Sequence, residues 1–268
     1  MLNINKIVDV IVFAGQSNMS GRGDVENAVV CDVNAGFEYK SISKPNTLCP
    51  IIEPFGIGED KAGALDDVFN GLSKRTGSMV SAVVNEYYKN TQRQIVAVSA
   101  SKGGTSTVDW LNGLIDDAVE RLDNTLKYLS ENKITVDNIF VVWCQGESDG
   151  DEKRTKDEYI ENIEILFNKF RIKGVQKFFV VQTGCYNYLK YPNGYNGLSG
   201  AEWDAQYKII REAQEKFCEN NDDYILAGSL EPYIKDMKDT FHYNQSVYNS
   251  IGKKVGLLIS KYCKAHQK

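Results

Sequence analysis

The sequence predicts an α/β fold: a three-layer α/β/α sandwich around a parallel five-stranded sheet. Three observations carry that expectation. Short β-branched or aromatic runs recur along the chain, separated by longer segments with apolar residues at helical spacing. Such a βαβα alternation, with right-handed crossovers, places helices on both faces of a parallel sheet. No internal repeat, low-complexity tract or flexible linker divides the 268 residues, a length that suits one well-buried domain over residues 1–268.

The elements follow in order. An apolar run that stops at a glycine places the first strand at residues 9–14. Residues 24–76 break the rhythm, because Pro45, Pro50, Pro54 and several glycines interrupt any regular period. A long excursion with one edge strand is expected there. The runs QIVAVSA, NIFVVWC, KFFVVQT and YILA then place strands at 94–100, 138–144, 177–183 and 224–227. Helical spacing places helices at 78–89, 112–129, 156–171, 201–217 and 245–262.

Composition narrows the class of partner. A net charge of −5 with both signs interspersed provides no basic footprint for nucleic acid or an anionic membrane. No apolar run approaches a membrane-spanning length. The first one carries Asp9 and lacks the basic lead and cleavage site of a secretory signal, so a cytoplasmic location is expected. The six cysteines are scattered without a C-x-x-C pair, which speaks against a zinc ribbon or thioredoxin-type motif. Reduced thiols are expected, with a Cys31–Cys49 bridge left open. The charge balance suits a small soluble substrate, and oligomeric state is not encoded in any visible pattern.

In open parallel sheets ligands gather beyond the carboxyl ends of the strands. Here those ends carry Gly15-Gln16-Ser17-Asn18, Ser101-Lys102-Gly103-Gly104-Thr105-Ser106, Gln145-Gly146-Glu147-Ser148-Asp149 and Gly184-Cys185-Tyr186-Asn187. Serine needs a nearby base to become a nucleophile at neutral pH. Histidine is the usual one, since an ordinary imidazole titrates near pH 6.5. Only two histidines exist: His266, third from the end, and His242 in Lys238-Asp239-Thr240-Phe241-His242. Asp239, three residues before His242, can reach the imidazole in a tight turn and fix its tautomer. The chain order Ser17, Asp239, His242 is also that of α/β-hydrolases, but Met19 stands where G-x-S-x-G requires its second glycine. Candidate oxyanion donors are the Ser17 N–H, the backbone of Gly103-Gly104, and the Gln145 side-chain amide.

These blocks resemble a known family. Gly15-Gln16-Ser17-Asn18-Met19-Ser20-Gly21-Arg22-Gly23, Lys102-Gly103-Gly104-Thr105-Ser106, Trp143-Cys144-Gln145-Gly146-Glu147-Ser148-Asp149 and Asp239-Thr240-Phe241-His242 resemble the sialate O-acetylesterase and acetylxylan esterase branch of the SGNH hydrolases, carbohydrate esterase family six. The resemblance implies a flavodoxin-like fold and removal of acetyl groups from carbohydrate hydroxyls with no metal and no cofactor. It implies Ser17 as nucleophile, Gly104 and Gln145 as oxyanion donors, and Asp239 with His242 as the acid–base pair. Glu147 is the rival or supporting acid, because that glutamate has been considered for the role in relatives. Two features set this chain apart from parts of the wider group. Glutamine replaces the superfamily's asparagine in the third block, as in this branch, and Cys144 stands where relatives often carry histidine.

Plainer readings stand beside these. Ser17 can cap a helix, and Gly103-Gly104 can form a simple turn. Asp149, Asp151 and Glu152 lack calcium-loop spacing and, with Lys153 and Arg154 next to them, read as a solvated loop. Trp143 is expected in the core, as is Cys144 acting as a small hydrophobe, whereas Trp110 and Trp203 are open to sugar stacking. A carbohydrate-binding protein of the same fold without turnover is the main alternative. A phosphate binder at 101–106 is disfavoured by the absence of a P-loop motif. Substrate choice is expected to lie in segments 24–76 and 186–201.

Overall fold

The computed structural model describes residues 4–60, 68–69 and 72–266. Strand β1 (Ile7–Gly15) leads into the short helix α1 (Ser17–Ser20), and the excursion that follows contains β2 (Gly36–Lys40) and β3 (Thr47–Pro50). A two-residue pair, β4 (Val68–Phe69) and β5 (Leu72–Ser73), precedes α2 (Val80–Thr91) and β6 (Ile95–Ser99). Next come α3 (Thr107–Asp109), α4 (Ile115–Glu131), β7 (Thr135–Cys144), α5 (Glu147–Asp151) and α6 (Lys156–Ile172). The chain ends with β8 (Lys177–Gln182), α7 (Gly200–Glu219), β9 (Tyr224–Ser229) and α8 (Gln245–His266).

The main sheet has the order β3-β2-β6-β1-β7-β8-β9, parallel throughout except where β3 returns antiparallel on β2. It therefore has seven strands rather than the five expected. The five expected strands are all present, and both additions come from the excursion. The sequence points to one edge strand there and the structure has two, because β2 carries a charged residue inside it and β3 is a four-residue edge ending in proline.

Alternation along β1 assigns its two faces. Val8, Val10, Val12 and Ala14 join a core with Val98, Val141 and Trp143 under α4, α6 and α7. Ile11 and Phe13 join the opposite core with Val142 and Val181 under α2 and α8. Asp9, buried within this strand, accepts hydrogen bonds from the Tyr87 hydroxyl at 2.6 Å, from Arg93 at 2.7 and 2.8 Å, and from the Asn138 side chain at 2.7 Å. That network closes the amino end of the sheet, opposite the chemistry-bearing rim. Among the described residues no helix is long and apolar enough to cross a membrane, and all six cysteines are free thiols, so Cys31 and Cys49 are not bridged.

Glu38 explains why β2 is hard to read from sequence and makes a testable claim. Its carboxylate is buried, with one oxygen 2.9 Å from Lys40 Nζ and the other without a hydrogen bond. Burial pushes its pKa up to about 7, against the opposing pull of Lys40. A raised folded-state pKa means the stabilising contribution is complete below the ordinary value of 4.5 and is lost as pH rises through about 7. Glu38→Gln should gain stability relative to the wild type by about 1–3 kcal/mol between pH 4.5 and pH 8. Urea unfolding of both proteins at the two pH values measures this directly.

Candidate active site

Strand order reverses at β1, which has β6 on one side and β7 on the other, so their carboxyl ends border the switch-point crevice of an open sheet. Gly15 makes the turn possible. Its φ is +134°, and a Cβ there would lie 2.0 Å from the Cys144 carbonyl oxygen of β7. Only glycine tolerates that approach. The next amide, Gln16 N–H, donates to the same carbonyl at 2.9 Å. The Gln16 side-chain oxygen accepts from the Gly146 and Ser148 amides at 3.2 and 3.3 Å, tying the β1 turn to the β7 turn. Ser17 then opens α1, where the first amide of a helix has no intrahelical acceptor.

The histidine arrives from the other end of the chain. Met237 pairs with Tyr243, and Lys238 N–H donates to the His242 carbonyl at 2.9 Å, closing a tight loop before α8. Within it Asp239 Oδ1 accepts from the Phe241 and His242 amides, each at 2.8 Å. That leaves Oδ2 2.9 Å from His242 Nδ1, and His242 Nε2 lies 2.9 Å from Ser17 Oγ. Partial burial pushes the Asp239 carboxyl up, but the His242 hydrogen bond and charge, with the two amides, outweigh it and draw the pKa down to about 2. The structure thus brings Ser17, Asp239 and His242 into one hydrogen-bonded chain.

Glu147 lies close by but faces another partner. Its Oε1 accepts from Asn18 Nδ2 at 2.5 Å, and the same nitrogen lies 3.2 Å from the Phe241 carbonyl. Asn18 Oδ1 accepts from the Tyr248 hydroxyl of α8 at 2.6 Å. Burial pushes the Glu147 carboxyl up, against its own amide and Asn18. Asn18 therefore links the Ser17 turn, the third block and the histidine loop. Its motif was visible in the sequence, but nothing local showed where its side chain would bond.

Gly104 sits exposed at a φ of +66° in the loop after β6, within the same cavity as Ser17 and His242. Gln145, expected as an oxyanion donor, is placed elsewhere. It is fully buried, and Nε2 donates to the Thr105 carbonyl at 3.0 Å and to Asp149 Oδ2 at 2.5 Å. Both amide hydrogens are consumed, and Gln214 and Tyr159 hold its backbone carbonyl at 2.7 and 3.2 Å. Gln145 braces the Gly104 loop from below and does not line the cavity.

The solvated-loop reading of the acidic stretch holds for Glu152 and fails for its neighbours. Asp149 is fully buried, accepting from the Thr107 amide at 2.9 Å and hydroxyl at 2.5 Å and pairing with Arg154 at 3.0 Å. Asp151 is partly buried and lines the cavity. Both are drawn in because α5 turns them toward α3 and α7. Among the described residues no group of three or more histidine, cysteine or carboxylate side chains is placed to hold a metal ion. Trp110 and Trp143 pack edge to face in the core with centroids 4.8 Å apart, and Trp203 stacks on Tyr195. None of the three reaches the cavity. Cys144 is buried at the end of β7, and burial holds its thiol well above the ordinary range.

The cavity is modest, about 220 Å³, bordered by Ser17, Gly104, Glu147, Asp151, Phe241 and His242. Hollows of about 320 Å³ between α6 and α7 and about 350 Å³ beside Cys31 are larger, but neither is lined by a serine or a histidine. The chemistry marks the site, not its size.

Solved structures with the same fold include a protein of Arabidopsis thaliana, at a TM-score of 0.63 and 17% identity, covering 96% of this chain and 98% of that one. NanS superposes at a TM-score of 0.64 and 12% identity, over 98% of this chain and 99% of its own. A carbohydrate acetylesterase from Xanthomonas citri superposes at 0.53 and 15% identity, over 97% of this chain and 57% of that longer one. Curated proteins gave no match. Over residues 7–260 the sequence matches the family described as carbohydrate esterase, sialic acid-specific acetylesterase, and the chain belongs to that family.

Proposed function

We propose that the protein is a serine esterase that removes O-acetyl groups from carbohydrates through an acetyl-enzyme on Ser17. The single observation that carries this reading is the 2.9 Å contact of His242 Nε2 with Ser17 Oγ, backed by Asp239 at 2.9 Å from Nδ1. For Nε2 to accept the serine proton, Nδ1 must carry the other ring hydrogen, and Asp239 Oδ2 is placed to accept a hydrogen bond from that N–H. Ser17 Oγ attacks the acetyl carbonyl carbon as its proton passes to His242. The carbonyl oxygen becomes negative and is met by the Ser17 and Gly104 amides, each such donor contributing about 10²–10³ in rate.

The bond from carbon to the sugar oxygen then breaks, and His242 returns the proton to that oxygen. Water attacks the acetyl-serine with His242 again as base, releasing acetate and restoring Ser17. Asp239 stays ionised through these steps because its carboxyl is held down near 2. Glu147 works through Asn18, keeping the Phe241 carbonyl and hence the histidine loop in register. Gln145 keeps the Gly104 loop in place from beneath.

Acetylated xylan-type and sialic acid-type sugars share the scissile bond, and the site chemistry serves either. Acetate release from a panel of acetylated saccharides, followed enzymatically, tests the reading. Turnover of at least one saccharide at a kcat/KM above that of a simple aryl acetate is expected. Tight saccharide binding with no acetate released from any ester would contradict it and favour a non-catalytic binder.

A further inference from the structure

Asp151 takes no part in these steps, yet it borders the cavity that holds Ser17 and His242. Its Oδ1 accepts from two phenols, Tyr195 at 2.9 Å and Tyr207 at 2.8 Å. Both donors are themselves fixed. Tyr207 is fully buried on α7 and lies parallel to Phe241, 5° between planes and 6.5 Å between centroids. Tyr195 stacks on Trp203 at 4.4 Å, and the Trp203 indole N–H donates to the Tyr195 carbonyl at 2.9 Å.

The carboxylate is therefore posed rather than loose, while its Oδ2 has no hydrogen-bond donor and no lysine or arginine among the described residues. Asp151 is only partly buried and its Oδ2 is open to water, which supplies its remaining donors in the free enzyme. At a cavity wall, whatever enters can supply them. Neutral O–H groups make short, strong bonds to a carboxylate. Phe241 borders the same cavity and gives it an apolar surface, so a polyhydroxyl ring with an apolar face matches both features.

We propose that Asp151 is a specificity-determining residue whose free oxygen accepts a hydrogen bond from an unmodified hydroxyl of the sugar that carries the acetyl ester. The site then selects acetyl esters with a neighbouring free hydroxyl over esters without one. This rests on Ser17 acting as the nucleophile in the same cavity. A site built to bond a substrate hydroxyl discriminates strongly against analogues that lack it.

The test uses three substrates: a monoacetylated methyl xyloside, the same compound with its remaining hydroxyls O-methylated, and para-nitrophenyl acetate. The wild type should prefer the free-hydroxyl xyloside over the methylated one by about 10- to 100-fold in kcat/KM, the range for a hydrogen bond to a charged group. Asp151→Ala should erase that preference and lower the ratio of xyloside to aryl acetate kcat/KM by a similar factor. Asp151→Asn, which keeps an acceptor oxygen in the same place, should lose less. Tyr207→Phe should lower the ratio through KM, since it loosens the carboxylate without touching the nucleophile.

Equal losses on all three substrates would make Asp151 a structural residue and overturn the proposal. So would a wild type without the preference, or an Asp151→Ala variant that is folded by thermal melting and retains it in full. Ser17→Ala on the aryl acetate separates the two levels. Activity surviving there defeats the nucleophile, and the proposal with it. Activity lost there, with an unchanged ratio in Asp151→Ala, defeats this proposal alone.

Discussion

Ser17→Ala should lower kcat for acetyl ester hydrolysis by about 10⁴–10⁶-fold with little change in KM. The size of the loss follows from what the hydroxyl does. In the proposed mechanism it is the atom that forms the covalent bond, and no other serine lies against the imidazole: His242 Nε2 has Ser17 Oγ as its hydrogen-bond partner among the described residues. The fold should be indifferent to the change. The turn is held by the Gln16 amide on Cys144 and by the Gln16 side chain on Gly146 and Ser148, none of which involves the serine oxygen. Residual rate above the uncatalysed reaction should persist, because the backbone amides that meet the oxyanion survive the substitution. Initial-rate kinetics on wild type and variant, with melting temperatures alongside, give the answer. A variant with a tenth or more of wild-type kcat would remove Ser17 from the mechanism.

Asp239→Asn should cost about 10²–10⁴-fold in kcat, and Glu147→Gln less than about 10-fold. The contrast is geometric. Asp239 Oδ2 touches the ring nitrogen directly, and an amide NH₂ in its place would favour the tautomer with Nε2 protonated, which cannot accept the serine proton. Glu147 touches Asn18 at 2.5 Å, a contact that glutamine can keep with its own oxygen. The Asp239 substitution has a second signature. A carboxyl drawn down to about 2 contributes stability that is complete above its ordinary value of 3.8 and is lost as pH falls toward 2. Wild type should lose stability relative to Asp239→Asn on acidification through that window, and melting curves from pH 5 to pH 2 measure it. If Glu147→Gln were the crippled variant and Asp239→Asn the active one, the acid would have been misassigned.

The apolar run of β1 and the β-branched runs of β6, β7 and β8 read directly as strands because both faces of those strands are covered by helices, so nearly every position must be apolar. The excursion was harder. Strand β2 admits Glu38 because Lys40 pairs with it, a compensation that hydropathy alone reads as a break. The hydrogen-bonded set of Ser17, Asp239 and His242 was legible because the chemistry sought restricts residue type so sharply that two histidines left little choice. Gln145 and Asp151 were not. Gln145 is held by Tyr159 and Gln214, and Asp151 by Tyr195 and Tyr207. Those partners come from α6, α7 and the loop before α7, and no local pattern records them.

The most direct measurement is mass spectrometry of the enzyme acid-quenched during turnover of an activated acetyl ester, followed by peptide mapping. The account predicts a gain of one acetyl group on the peptide bearing Ser17, absent from Ser17→Ala and accumulating when His242 is replaced by alanine only if the ester is reactive enough to acylate without a base. An acetyl group on a different residue, or full turnover by Ser17→Ala with no covalent adduct, would contradict it.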